Sequence, residues 1–331
     1  MPEKEWNLFE RDSRINIGGT VVHHPIEANI WEFDLPTQVE YLKSVARAGC
    51  VTGEEKPEAF VDWIYWKLGQ RIAEDYMIPY NRKMFCDELN LLGTYWLDKL
   101  PDVSFDEILL SCLEKKAHGK QPGHARFLYP KHYGYGELWL RIADKLGDHI
   151  KYGQNVCGID TDLNVVRTAE GTEYQADMII NTIPWTSFTL SGAVPEDIKD
   201  AVSQLKHSSV QIEYFPEDLP SDAHWIYYPE PAVPYHRILL RHNFCPDSRG
   251  YWTETNAGRV MKNETGLRSF VYMNEYAYPL NTIGKPELMK KILNWSSGKN
   301  IFGLGRWGEW MHYNSDAVVE RSLALADAMI N

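Results

Sequence analysis

The sequence predicts an α/β (α+β) fold with a helical insert and an antiparallel sheet, and three observations carry that expectation. Residues 35–118 repeat apolar side chains at helical spacing in several separate runs. Asp177-Met-Ile-Ile-Asn-Thr-Ile183 is an apolar run bounded by turn formers, the pattern of a strand covered on both faces. Residues 208–273 alternate repeatedly with Pro and Gly at the breaks, as antiparallel strands do.

The elements follow in order. Arg14-Ile-Asn-Ile-Gly-Gly-Thr-Val-Val-His-His-Pro25 reads as two strands around Gly18-Gly19. Pro36-Thr37-Gln38 opens a helix running to Ala48, with Val39, Leu42, Val45 and Ala46 apolar. Pro57 starts a second, carrying Phe60, Trp63, Ile64 and Leu68, and Gly69–Met77 forms a third that Pro79 stops. Ser104–Lys116 places Phe105, Ile108, Leu109 and Leu113 on one face of a fourth. Lys116–Gly123 is polar and reads as a loop, and Gly134–Leu146 as a helix. His149–Tyr152, Val156–Thr161 and Val165–Thr168 read as strands leading to Asp177–Ile183. Ala201–Leu205 and Glu287–Leu293 are short helices, Asn300–Gly303 a strand, and Asp316–Ile330 a final amphipathic helix.

The 331 residues are 44% apolar and 13% aromatic, enough to bury a substantial core. Charged residues are 24% of the chain, which argues against disorder. Asp plus Glu outnumber Lys plus Arg by 46 to 34, a net charge of -12 without a basic run, so nucleic acid is not an expected partner. Cys50, Cys86, Cys112, Cys157 and Cys245 are odd in number and contain no CxxC, so neither a disulfide framework nor a metal site is expected. Met1–Arg14 has no apolar signal region, and no run approaches the roughly 18–20 apolar residues of a membrane span. A cytoplasmic protein is the expectation.

Three stretches bear on chemistry. Ile301-Phe-Gly303-Leu-Gly305-Arg306-Trp-Gly308-Glu-Trp310 matches GxGxxG after a strand, but no second strand with an acid follows, so it is not a dinucleotide fingerprint. What remains is strand, Gly-rich loop and a helix start near Asn314–Asp316. That is either an arrangement aiming backbone N–H groups and Arg306 at an anion or electron-rich ring, or a tightly packed turn. Pro234-Tyr-His-Arg-Ile-Leu-Leu-Arg241 puts Tyr235, Arg237 and Arg241 on one strand face, either a diphosphate clamp or a solvated face. Asn274-Glu-Tyr276-Ala-Tyr278-Pro279 offers two Tyr hydroxyls that can meet a phosphate, or two rings at a sheet edge. Among the aromatic residues of the helical block, which mostly read as core, Trp96 is a candidate to stack on a nucleobase. His23-His24 cannot both face one metal from a strand, no GxSxG or Walker A pattern occurs, and Glu27, Asp34, Glu137 and Asp144 are ordinary in context.

Taken together, these pieces resemble UDP-galactopyranose mutase-like and related amine-oxidase-superfamily flavoproteins. Gly18–Ile30 resembles the segment entering their helical domain, and Gly69–Phe85 a recurrent part of that domain. Tyr129-Pro-Lys-His-Tyr-Gly-Tyr-Gly-Glu-Leu-Trp139 resembles the loop re-entering the flavin domain. Pro234–Arg237 resembles the strand carrying a diphosphate-binding Arg, Asn274–Pro279 the active-site Tyr segment, and Gly305–Trp310 with Asn314–Asp316 the C-terminal flavin-contacting loop. The segments occur in family order over nearly the whole chain.

The resemblance implies FAD as cofactor and a nucleotide sugar as substrate, contracted to its five-membered ring by means of reduced flavin. Residues 1–34 are then strands of the substrate-domain sheet, 35–125 a helical domain, and 186–284 the antiparallel substrate domain. Residues 126–185 with 285–331 are the remainder of an incomplete FAD-binding α/β domain, because no strand–GxGxxG–helix unit precedes Trp6. Implied catalytic residues are Arg306 and Arg237. Implied substrate contacts are Tyr235, Arg237, Tyr276, Tyr278, Trp96 and His312; a second phosphate-binding Tyr of some mutases falls on His312 or Tyr313. Implied flavin contacts are Gly303, Gly305, Arg306, Trp310, Asn314 and Asp316. The alternatives are another FAD-dependent amine- or porphyrinogen-oxidase-like enzyme, or a flavin-free remnant. A second chain supplying the missing half, or a homo-oligomer, is the implied partner.

Overall fold

The computed structural model describes residues 1–85, 89–97, 100–120, 125–260 and 270–330, so Cys86 and part of the expected 116–123 loop lie outside the described residues. The chain forms two compact units, each built from two separate segments: Met1–Gly147 with Ser208–Glu275, and Asp148–His207 with Tyr276–Asn331.

The first unit centres on a seven-stranded sheet in the order Phe270–Pro279, His207–Phe215, Tyr251–Asn256, Arg237–Leu240, Trp225–Tyr227, Ser13–Ile17, Thr20–His23. Trp225–Tyr227 runs parallel to Ser13–Ile17, whereas the central pairs are antiparallel. Ser13–Ile17 and Thr20–His23 make the hairpin expected around Gly18 and Gly19, whose φ values of 57° and 86° suit residues without a Cβ. Ile15 and Val22 face each other across it and are fully buried.

The helical block also forms. Asp34 caps Leu35–Val45 by accepting from the Thr37 amide at 2.8 Å, with Pro36 in the first turn where a missing N–H costs nothing. Ser104 and Glu107 cap Phe105–Glu114 reciprocally. Phe60–Ile72 breaks at Gly69, where φ is +71° and an added Cβ would lie 2.5 Å from the Ser44 carbonyl oxygen. Glycine thus lets the two helices touch backbone to backbone. Pro79 does not stop the next helix, contrary to expectation. A π-helical turn, Ala73–Met77, runs directly into Ile78–Met84, and Pro79 occupies the first turn of that segment.

The second unit holds a four-stranded sheet, Glu173–Gln175, Val165–Thr168, Val156–Asp160, Thr189–Ser191, and a parallel pair, Ile301–Gly303 with Ile179–Asn181. Helices Glu196–Ser203 and Lys285–Ser297 pack over a core of Ile159, Ile179, Trp185, Ile292, Ile301 and Trp310. Two expectations fail here. His149–Tyr152 is not a strand: Gly147 and Gly153, both at positive φ, bracket it, and it forms a 3-10 turn followed by irregular chain. The Ile179–Asn181 strand is covered on one face only, since Ile179 and Asn181 are buried while Ile180 is 45% exposed.

Candidate functional site

The Gly-rich turn of the second unit is built by close backbone contact. Gly303 pairs with Asn181 at the end of the parallel strands, and the Leu304 amide donates to the Asn181 carbonyl at 2.9 Å. A Cβ on Gly303 would lie 2.3 Å from the Gly308 oxygen, and one on Gly308 would lie 2.1 Å from the Asn181 oxygen. Both glycines therefore exist for packing. The Gly305 amide donates to the buried Glu309 carboxylate at 2.9 Å, and Arg321 holds the same carboxylate through Nε at 2.7 Å. The row of outward amides expected after the strand is thus internally satisfied at Leu304 and Gly305.

One polar atom there is left over. Asn181, 3% exposed, accepts from the Ile183 amide through Oδ1, but its Nδ2 has no partner among the described residues. A buried amide donor left unmet costs about 1–3 kcal/mol, so such groups signal a missing ligand or water.

Arg306 ties the turn together. Its Nε and Nη2 donate to the Tyr313 carbonyl at 3.1 and 2.7 Å, and Nη1 donates to the Ala277 carbonyl at 3.3 Å. The Ala277 contact fixes the strand end on which Tyr276 and Tyr278 alternate with buried Ala277. Tyr278 packs on His312 with ring centroids 5.2 Å apart, and Tyr276 packs on His207 and Trp307 at 4.5 and 5.5 Å. The second unit so gathers Tyr276, Tyr278, Arg306 and His312, together with His207 and Trp307. His207 left no signal in the sequence, being a single His at the start of a strand. Trp310 is fully buried and donates its indole N–H to the Lys206 carbonyl at 3.0 Å, so the structure places it in the core. The Asn314 carbonyl accepts from the Val318 amide, and Asp316 is an exposed acid in the first turn of Ser315–Ile330, where the helix dipole favours it.

Lys285 supports this loop from beneath. It is 2% exposed and donates to Asn281 Oδ1 at 2.5 Å and to the Trp310 carbonyl at 2.8 Å. Burial pushes its ammonium down to about 7. The unfolded chain then binds a proton that the folded chain has shed between that value and the usual lysine range, so this lysine's contribution to stability rises with pH across the window. Wild-type stability is expected to gain about 2–3 kcal/mol on Lys285→Met between about pH 7 and pH 9. Urea midpoints of both proteins at the two pH values measure it, and a gap that stays constant would refute it.

In the first unit, Arg237 stands directly opposite Glu254 on the neighbouring strand and grips it bidentately, Nε to Oε2 at 2.8 Å and Nη2 to Oε1 at 2.9 Å. Fully buried His236 brings Nε2 within 3.3 Å of the same carboxylate, without hydrogen-bond alignment. Burial opposes the charge on Glu254, but Arg237 and then His236 outweigh it and hold the carboxyl down at about 2. Arg241 does not share the Arg237 face. The strand ends at Leu240, and Arg241 turns over the rings of Tyr214 and Trp252, 5.0 and 5.6 Å away. Tyr235 packs edge-on against Tyr228 at 5.0 Å. Trp96, half-buried, packs on Phe60 at 5.3 Å and donates its indole N–H to the Gly93 carbonyl at 2.7 Å.

This α/β fold, with its helical insert and mixed sheet, is one that solved structures share. Its structural likeness is to UDP-galactopyranose mutase. The crystal structure of the reduced mutase superposes with a TM-score of 0.81 at 22% identity, over 92% of this chain and 73% of that one. A putative protoporphyrinogen oxidase from Exiguobacterium sp. 255-15 matches at TM-score 0.60 and 11% identity, over 92% and 77% of the two chains. A CLA-producing fatty acid isomerase from P. acnes matches at 0.61 and 11%, over 97% and 80%. No family model matches the sequence. Among the described residues no helix is long and apolar enough to cross a membrane.

Proposed function

We propose that this chain is a flavoprotein of the UDP-galactopyranose mutase type whose substrate is a nucleotide sugar. The observation that carries the proposal is the agreement of fold with the mutase, TM-score 0.81 over 92% of the chain. The buried, unmatched Asn181 Nδ2 beside the Gly303–Gly308 turn supports a ligand there, and an amide donor suits the carbonyl and nitrogen acceptors of a flavin ring. FAD would bring the electron-rich reduced ring that sugar ring contraction requires.

The chain's own residues then bind and orient. Asn181 would offer its Nδ2 to an acceptor of the flavin. Gly303, Gly305, Asn314 and Asp316 would hold the cofactor, with Trp310 anchoring the loop in the core. Arg306 acts by position: its bonds to the Tyr313 and Ala277 carbonyls fix the loop of His312 and the strand of Tyr276 and Tyr278. Those two hydroxyls and His312 are the proposed phosphate contacts of the second unit. In the first unit Arg237, held in one orientation by Glu254, is the proposed diphosphate residue, with Tyr235 and Trp96 as further substrate contacts. Fixed donors of this kind stabilise charge without reorganising.

A second reading, an amine- or porphyrinogen-oxidase-like oxidoreductase, is favoured by one observation. Glu254 already neutralises Arg237, which weakens its pull on an anion.

The test is the visible spectrum of the purified protein with FAD, before and after dithionite, followed by titration with UDP. The proposal expects a bound, reducible flavin whose spectrum UDP perturbs. Flavin binding without any response to UDP transfers support to the oxidase reading, and the absence of flavin uptake removes both.

A further inference from the structure

A cavity of about 560 Å³ lies within the helical part of the first unit, a size that suits a small organic ligand. Its apolar wall includes Val45, Leu68 and Ile72. Its floor holds Glu27, 7% exposed, in the 3-10 turn Ile26–Ala28. Among the described residues no other residue donates a hydrogen bond to its carboxyl. The nearest cation, Lys67, is already spent on Asp102, with Nζ to Oδ1 at 2.5 Å. Asp106 and Glu107 also line the cavity, so acids outnumber the single base four to one.

We propose that this cavity binds a small organic cation, an ammonium carried on an apolar body, through a charge-assisted hydrogen bond to Glu27. Such a bond to an ionised partner is about twice as strong as a neutral one. The acid excess repels anions. A bare metal ion is disfavoured, because among the described residues no three His, Cys, Asp or Glu side chains converge to hold one. The apolar wall takes the body of the ligand, and the floor takes its head. Burial pushes the Glu27 carboxyl up to about 7.

The test titrates the full chain with 2-phenylethylammonium and with its neutral counterpart 2-phenylethanol at about pH 8, where Glu27 is ionised, by calorimetry. The ammonium is expected to bind at least about tenfold more tightly than the alcohol, and Glu27→Gln to erase the difference. Asp102→Asn is a second variant at an exposed position, and it frees Lys67 to neutralise Glu27. It is expected to weaken the ammonium several-fold and leave the alcohol unchanged. Equal affinity for the two probes, no saturable binding up to about 1 mM, or undiminished ammonium binding by Asp102→Asn would each overturn the proposal.

Discussion

Arg237→Ala is expected to destabilise the protein by about 3–5 kcal/mol, because it strands a carboxylate inside a sheet. Glu254 is 8% exposed and both its oxygens accept from Arg237. Without the guanidinium, the one partner left to its charge among the described residues is His236, itself buried and disinclined to protonate, since burial lowers its pKa. The reverse change, Glu254→Ala, leaves a half-buried Arg237 that can reach water, and costs less. Arg237→Ala/Glu254→Ala is therefore expected to be more stable than Arg237→Ala alone, a coupling that urea unfolding at neutral pH resolves. Additive single effects would sink this account. The pH dependence has a definite sign. The folded Glu254 carboxyl, at about 2, lies below its unfolded value, so the stability it contributes is present above about pH 4.3 and is lost as pH falls toward 2. The gap between wild type and Arg237→Ala should narrow over that interval. This matters for function as well: an activity lost in Arg237→Ala reports a phosphate contact only if the variant is still folded.

The second large effect is expected at Gly308. A methyl group there would sit 2.1 Å from the Asn181 carbonyl oxygen and 3.0 Å from the Gly303 carbonyl carbon. Neither neighbour is a side chain that can swing aside. Both are backbone within or beside the parallel strand pair. Gly308→Ala must prise the turn off the strands and weaken the bond from Trp185 Nε1 to the Gly308 carbonyl, 2.8 Å long. A loss of about 3 kcal/mol or more is expected. Gly305→Ala is the control. Its φ of +75° imposes backbone strain, but its Cβ would meet only Val318 at 3.4 Å, so a loss of about 1–2 kcal/mol is expected. Chemical denaturation of the two variants compares them directly, and a milder effect at Gly308 than at Gly305 would contradict the packing role.

What the sequence made legible is what local chemistry determines. The helices expected from Pro36 and from Ser104 both form, as Leu35–Val45 and Phe105–Glu114. Gly18-Gly19 between alternating segments makes its hairpin. The strand Ile301–Gly303 and the helix Ser315–Ile330 are where the pattern puts them. Failures occur where distant contacts decide. Pro79 looks like a stop signal because a proline breaks a helix interior, but the π-helical turn before it supplies a new first turn that tolerates the ring. Arg237 looks like a phosphate clamp because nothing local shows that strand register will set Glu254 opposite it. The Gly-rich loop looks like a donor cradle because a pattern of glycines does not reveal that Glu309 turns back to capture the Gly305 amide. The unmatched Asn181 amide had no signal at all, since an Asn after a short strand is ordinary until its burial is known.

The parallel pairing of Ile179–Asn181 with Ile301–Gly303 also has a temporal consequence. On the ribosome the earlier strand must wait for roughly 120 further residues, on the order of ten seconds at ordinary elongation rates. Throughout that interval Ile179–Asn181 lacks the one strand it pairs with among the described residues. That parallel pair of the second unit can thus close only after Ile301–Gly303 has emerged.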